Sequence, residues 1–253
     1  MLFTTFAAFL SVFTLARALP APAEEHAKRG LATVYSGCKS ANTVAMTFDD
    51  GPYIYEQDIV NTLNQNGIKG TFFINGDNWE CVYDSSTISS LKSAYNSGHQ
   101  IGSHTWHHYD LTTLSWDQIH DEMWRTELAM RRILGVAPAI MRPPYGNYND
   151  LVRSASSIRN QSLIIWDFDD GDSTGSSVSQ SETDYNNLVK QHPKNVLALN
   201  HETYETSAHT VIPYAIKKLK AAGYKFATVS ECLGLPAYSW YGAPQKKDST
   251  WTC

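Results

Sequence analysis

The sequence predicts a single α/β domain, a parallel β/α barrel that does not close completely. Three observations lead there. Short β-prone runs alternate with longer amphipathic stretches, and such alternation builds a parallel sheet. The runs number seven, which suits one barrel. Polar, reactive clusters follow five of them, and parallel barrels carry their active sites at that end of the strands. A doubly wound open parallel sheet meets the alternation equally well and is the alternative.

The strand candidates are 43–48, 69–74, 99–102, 139–142, 162–166, 196–200 and 225–229, rich in Val, Ile, Phe, Thr and Leu. Between them apolar residues recur at helical spacing. Ile59 and Leu63 precede Gly67, and Ile88, Leu91 and Tyr95 precede Gly98. Ile119, Met123, Met130 and Leu134 precede Gly135; Ile212, Ala215, Leu219 and Ala222 precede Gly223. A glycine at each end is suited to the left-handed residue that terminates a helix. Ser115-Trp116-Asp117-Gln118 opens the longest helix as a capping box, in which the hydroxyl and the amide satisfy each other's free backbone N–H groups.

Composition narrows the class. Of 253 residues 42% are hydrophobic and 18% charged, with net charge −5, so the chain can bury a full core. Mild acidity and the lack of a Lys/Arg stripe exclude nucleic acid and anionic membranes as expected partners, and favour a neutral or cationic substrate. The apolar stretch 6–15 followed by Ala16-Arg17-Ala18 reads as a signal peptide, 1–18, too short to anchor in a bilayer. Residues 19–29 end in Lys28-Arg29 and read as a propeptide, leaving 30–253 as the folded, secreted domain, extracellular or in the cell wall. Nothing in the pattern calls for an oligomer, and a monomer is expected.

Four cysteines remain in that domain, an even number that in a secreted chain allows three disulfide pairings. Cys38 precedes the first strand and Cys232 follows the last, which pairs them and leaves Cys81 with Cys253. Asn160-Gln161-Ser162 is an N-glycosylation sequon.

The reactive clusters are Asp49-Asp50-Gly51-Pro52, His104 to His108, Arg142-Pro143-Pro144-Tyr145-Gly146, Trp166 to Asp172 and Asn200-His201-Glu202. Adjacent aspartates repel, so in a confined place one needs a proton, a cationic partner or a metal. His104 and His108, four apart, bring two imidazoles to one side of a turn, and with a carboxylate they make a three-ligand divalent site. Trp106, Trp166 and Phe168 read as barrel packing, and Trp79 as either packing or a surface for sugar.

These motifs, in this order, resemble the five motifs of the polysaccharide deacetylase family, carbohydrate esterase family 4, over essentially the whole of 30–253. Within it they are most similar to secreted fungal chitin deacetylases, together with the flanking runs 70–76 and 231–234. The resemblance implies a distorted (β/α)7 barrel that removes N-acetyl groups from chitin or chito-oligosaccharides. It implies a divalent metal, zinc with cobalt as the alternative, held by Asp50, His104 and His108. Asp49 would be the general base, oriented by Arg142, and His201 the general acid, with Asp172 stabilising its charged form. Tyr145, through its backbone N–H, and Leu199 would meet the substrate at the oxyanion side. Two positions depart from the family pattern: Tyr109 replaces a proline after the second histidine, and Ser173 replaces a tryptophan after Asp172, which makes Asp169 the rival partner for His201. An acetylxylan esterase on the same site, or a non-catalytic glycan-binding relative, are the competing functions.

Overall fold

A computed structural model describes residues 30–253. The signal peptide and propeptide expected over 1–29 lie outside the described residues.

The chain forms one α/β domain. Its strands are β1 (Val34–Tyr35), β2 (Thr43–Gly51), β3 (Thr71–Ile74), β4 (Gln100–Ser103), β5 (Val136–Pro138), β6 (Ile140–Met141), β7 (Ser162–Ile164), β8 (Phe168–Asp169), β9 (Asn195–His201), β10 (Lys225–Phe226) and β11 (Tyr238–Tyr241). Its helices are α1 (Glu56–Gln65), α2 (Ser85–Asn96), α3 (Trp116–Leu134), α4 (Asp150–Ile158), α5 (Val178–Gln191), α6 (Ile212–Ala221) and α7 (Val229–Leu233). Hydrogen bonding runs β1-β7-β6-β4-β3-β2-β9-β8, all parallel, with β10 beside β2. No pairing joins β1 to β8, so the sheet curls into a half-barrel that stays open on one side. β5 and β11 form a separate antiparallel pair.

β2 is the organising strand. Its Thr-Val-Ala-Met-Thr-Phe run is buried on both faces, as expected inside a parallel sheet covered by helices. Val44, Met46 and Phe48 face outward into the main core with Ile59 and Leu63 of α1, Leu91 of α2, Met130 of α3 and Ile212 of α6. Ala45 faces inward with Phe73, Ile140, Ile164 and Leu197, from four other strands. Gly102 on β4 leaves the room that the Phe73 ring takes, since a Cβ there would lie 2.7 Å from it. Val229, Cys232 and Leu233 of α7 complete this inner cluster from the strands' amino end. By the two-residue period of a strand, Thr47 and Asp49 share the inward face with Ala45, so the carboxyl end of the interior is polar.

The seven strand candidates correspond to β2, β3, β4, β6, β7, β9 and β10, with ends shifted by up to three residues; β2 runs on to Gly51 and carries Asp49 and Asp50 within it. The last was overextended: β10 stops at Phe226, and Thr228 caps α7, its hydroxyl taking the Glu231 N–H while the Glu231 carboxylate takes that of Thr228. The Ser115/Gln118 capping box opens α3, which ends on Gly135 in the left-handed region. Disulfides join Cys38 to Cys232, tying α7 to the segment before β2, and Cys81 to Cys253. The second holds the C-terminal segment down, with Trp251 buried against Tyr83.

Candidate active site

The site lies at the carboxyl end of the half-barrel, where parallel pairing aligns its parts. β2 and β9 run in register, so Asp49 stands opposite His201. β4 delivers His104 one residue after its end, and β6 delivers Arg142 in the same way. Four non-glycine residues near this end have left-handed backbone: Asp50 (φ 73°), Thr105 (72°), His108 (61°) and Tyr145 (60°). Such conformations cost free energy for a residue bearing a Cβ and gather where side chains must be aimed.

The three expected ligands converge. Asp50 Oδ1 lies 3.2 Å from His108 Nε2 and 3.5 Å from His104 Nε2. One ligand atom from each residue falls within 4.8 Å of the others. His104 Nδ1 is 2.7 Å from the Arg142 carbonyl, so it carries the proton and the Nε2 lone pair faces Asp50. Burial pushes His108 down to about 4, helped by the neighbouring His104, which leaves it neutral at pH 7. Burial pushes the Asp50 carboxyl up, yet the surrounding imidazoles, His104 first and then His108 and His201, outweigh it and hold it at about 2. Asp50 Oδ1 is buried with no hydrogen-bond donor. An ionised carboxylate with an unsatisfied buried oxygen and two imidazole nitrogens aimed at one point fits a divalent transition-metal ion.

Asp49 lies beside this group, only 2% exposed. Its Oδ1 accepts a 2.7 Å bond from Arg142 Nη1, and its Oδ2 is 3.7 Å from His104 Nε2. Arg142 is fully buried and spends its donors on Asp49, Thr47 Oγ1, Ile164 O and Ile165 O, with its guanidinium over the Phe73 ring. A buried arginine so placed cannot swing away without leaving donors unsatisfied.

On the other flank, Asp172 grips His201. Its Oδ1 is 2.7 Å from Nδ1, and its Oδ2 accepts from the His201 N–H and from Ser207 Oγ, both at 2.8 Å. Burial works against the imidazolium, but this hydrogen bond and charge, with those of Asp49 and Asp50, raise His201 to about 9. The ring is therefore protonated at neutral pH. Asp169, the rival, sits at the cleft with its Oδ1 engaged by the Gly171 N–H.

A cleft of about 410 Å³ connects these groups, lined by Asp49, Asp50, His104, His108, His201 and Leu199. Tyr145 borders it with its ring 4.7 Å from that of His108. Trp166 also lines the cleft, contrary to its expected place in the barrel packing, because β7 stops at Ile164 and releases it. Trp106 is buried against Tyr83 and Arg125, and Phe168, partly buried, packs against Tyr185. Trp79 is half-exposed and leans on Tyr53. Sequence reasoning missed Tyr204 and Thr174 as lining residues, and no signal marked either. It missed Glu56 and gave Glu202, named in the last cluster, no role of its own; both are fully buried, and the burial of a glutamate is not written in its neighbours.

The polysaccharide deacetylase family matches residues 36–163. A chitin deacetylase of Pestalotiopsis sp is 36% identical over 214 residues, 83% of this chain and 70% of that protein. A chitin deacetylase of Colletotrichum lindemuthianum is 32% identical over 211 residues, 81% of this chain and 85% of its own length. The solved structure of the latter organism's chitin deacetylase superposes with a TM-score of 0.79 at 31% identity, covering 84% of this chain and 96% of that one.

Proposed function

Because the chain belongs to the polysaccharide deacetylase family and is a deacetylase hydrolase, we propose that it hydrolyses the N-acetyl groups of chitin or chito-oligosaccharides, giving glucosamine units and acetate. One observation carries the reading: a buried carboxylate and a protonated imidazole, Asp49 and His201, face one cleft beside a three-ligand cation site.

Asp50, His104 and His108 would hold zinc, or cobalt in its place. The cation would supply Lewis acidity, polarising an acetyl carbonyl and making water a better proton donor. Asp49 takes a proton from water as its oxygen attacks the carbonyl carbon. The Arg142 guanidinium keeps Asp49 facing that water and balances its charge. The oxygen that gains negative charge accepts from the Tyr145 backbone N–H, with Leu199 covering the acyl side. His201 then protonates the nitrogen as the C–N bond breaks, and Asp172 stabilises the imidazolium until that moment. An amide needs such an acid more than an ester does, because an amine anion is a very poor leaving group. That asymmetry favours N-deacetylation over the acetylxylan esterase reading.

The discriminating experiment offers purified protein with zinc to N-acetylglucosamine oligomers and to acetylated xylan in parallel, with acetate measured. Release from the oligomers supports the proposal; release only from xylan replaces it with the esterase; release from neither leaves a glycan-binding protein. We also propose that residues 1–18 are a signal peptide, that 19–29 are removed and that the domain is secreted as a monomer. Two disulfides suit an oxidising compartment, and among the described residues no helix is long and apolar enough to cross a membrane. Asn160 of the sequon is exposed in the turn after α4 and open to an N-glycan.

A further inference from the structure

Glu202, directly after His201, and Glu56, at the start of α1, are both fully buried. Among the described residues no arginine, lysine or histidine forms an ion pair with either. Each keeps one oxygen partnered and one orphaned. Glu202 Oε1 accepts from the Tyr53 N–H at 3.2 Å while Oε2 has no partner. Glu56 Oε2 accepts from the Ser90 hydroxyl while Oε1 has none. Two carboxyls with no cation and no access to water cannot both be charged. A retained proton also turns an acceptor-only group into a donor, which is what an orphaned oxygen of a neighbouring acid requires. Burial pushes both up accordingly, Glu56 to about 8 and Glu202 well above the carboxylate range, the charge of Glu56 adding to the second.

Glu202 also grips the turn that follows β2. Its backbone N–H bonds to Asp49 O at 3.2 Å, and its carboxyl caps Tyr53 N–H. A Cβ at Gly51 would fall 1.6 Å from Glu202 Oε1, so the carboxyl lies flat against that glycine. On the opposite side Gly51 O accepts from Asn75 N–H at 2.7 Å. Asp49 and Asp50 have their backbone between these fixtures.

We propose that Glu202 is a positioning residue: held as a neutral acid together with Glu56, it clamps the Asp49–Tyr53 turn onto the strand end that bears His201, setting Asp49 and Asp50 against His201. The proposal rests on the roles given to those residues above.

Three variants test it, with kcat, KM and zinc affinity by chelator competition. Glu202→Gln keeps shape and neutrality, and stays within about threefold of the parent in kcat and zinc affinity. Glu202→Ala releases the turn; a displacement near 1 Å is expected to cost about 10²-fold in kcat with little change in KM, and zinc binding weakens at least about tenfold. Glu202→Asp, one methylene shorter, reads the same loss if the alanine variant fails to fold, with circular dichroism as the check on folding. A glutamine variant as damaged as the alanine one overturns the neutral clamp, and so does a folded alanine or aspartate variant with parental kcat and zinc affinity. Should the parent itself release no acetate, the functional reading fails, while the zinc affinities of the three variants still decide the clamp.

Discussion

Replacing Asp172 by Asn removes the charge that holds His201 protonated while keeping the shape of its partner. Proton donation to the leaving nitrogen needs the imidazolium, so activity is sustained below the His201 value and lost as pH rises through it. With His201 at about 9, about nine-tenths of it is charged at pH 8; at the ordinary 6.5 only about 3% would be, a roughly 30-fold deficit from protonation alone. Burial opposes the charge too, so once Asp172 is neutral only the smaller pull of Asp49 and Asp50 holds the value up. At pH 6 the same arithmetic leaves about three-quarters of the ring charged at 6.5, so any larger loss there measures misorientation of the imidazole instead. The assay is acetate release from N-acetylglucosamine oligomers across pH 5–10 for parent and variant, both loaded with the same cation, so that its repulsion of the imidazolium is common to both. The alkaline limb should move down by about one to two and a half pH units, with kcat at pH 8 falling about 2-fold at the small end of that range and about 30-fold at the large end from protonation alone. An alkaline limb that stays in place would refute the reasoning, because Asp172 would then not be what keeps His201 charged.

Asp49→Asn should lower kcat by about 10²- to 10⁴-fold and leave zinc content near one per chain, whereas His104→Ala should lose both; elemental analysis beside the rate assay separates them, and an empty Asp49→Asn protein would contradict the division. Gly51→Ala should destabilise by about 1–3 kcal/mol or fail to fold, because the new Cβ meets the Glu202 carboxyl at 1.6 Å; chemical denaturation that finds the variant as stable as the parent would show that Glu202 moves freely. Replacing Cys81 and Cys253 together by Ser opens a link across 172 residues, worth up to about 5 kcal/mol in the chain-entropy model, so the denaturation midpoint should fall clearly while β2 and β9 keep the cleft in register.

Where local chemistry decides an element, the chain order was enough to read it. The hydroxyl of Ser115 and the amide of Gln118 meet within one turn, so the start of α3 was plain. Residues 225–229 misled because a capping box, Thr228 with Glu231, lay inside an apolar run, and hydrogen bonds to free N–H groups outrank β propensity there. α4 and α5 went unseen for another reason. α5 buries only Ser181, Tyr185 and Leu188 of its fourteen residues, too few to set a helical period in a polar stretch. β8, two residues long, exists because β9 offers it an edge. The choice between Asp169 and Asp172 could not be made from spacing, as either is a few residues from the same strand end; the turn after β8 aims Asp172 at His201 and leaves Asp169 in the cleft.

By itself the sequence determined that strands and helices alternate, and that aspartates, histidines and an arginine stand at the carboxyl ends of particular strands. Those follow from period, breakers and residue type, all of which act over a few neighbours. Only the tertiary structure decided that the sheet stays open between β1 and β8, that Arg142 lies beneath Asp49, and that Glu56 and Glu202 are sealed from water. Burial and long-range pairing set these, and both depend on what the rest of the chain brings alongside.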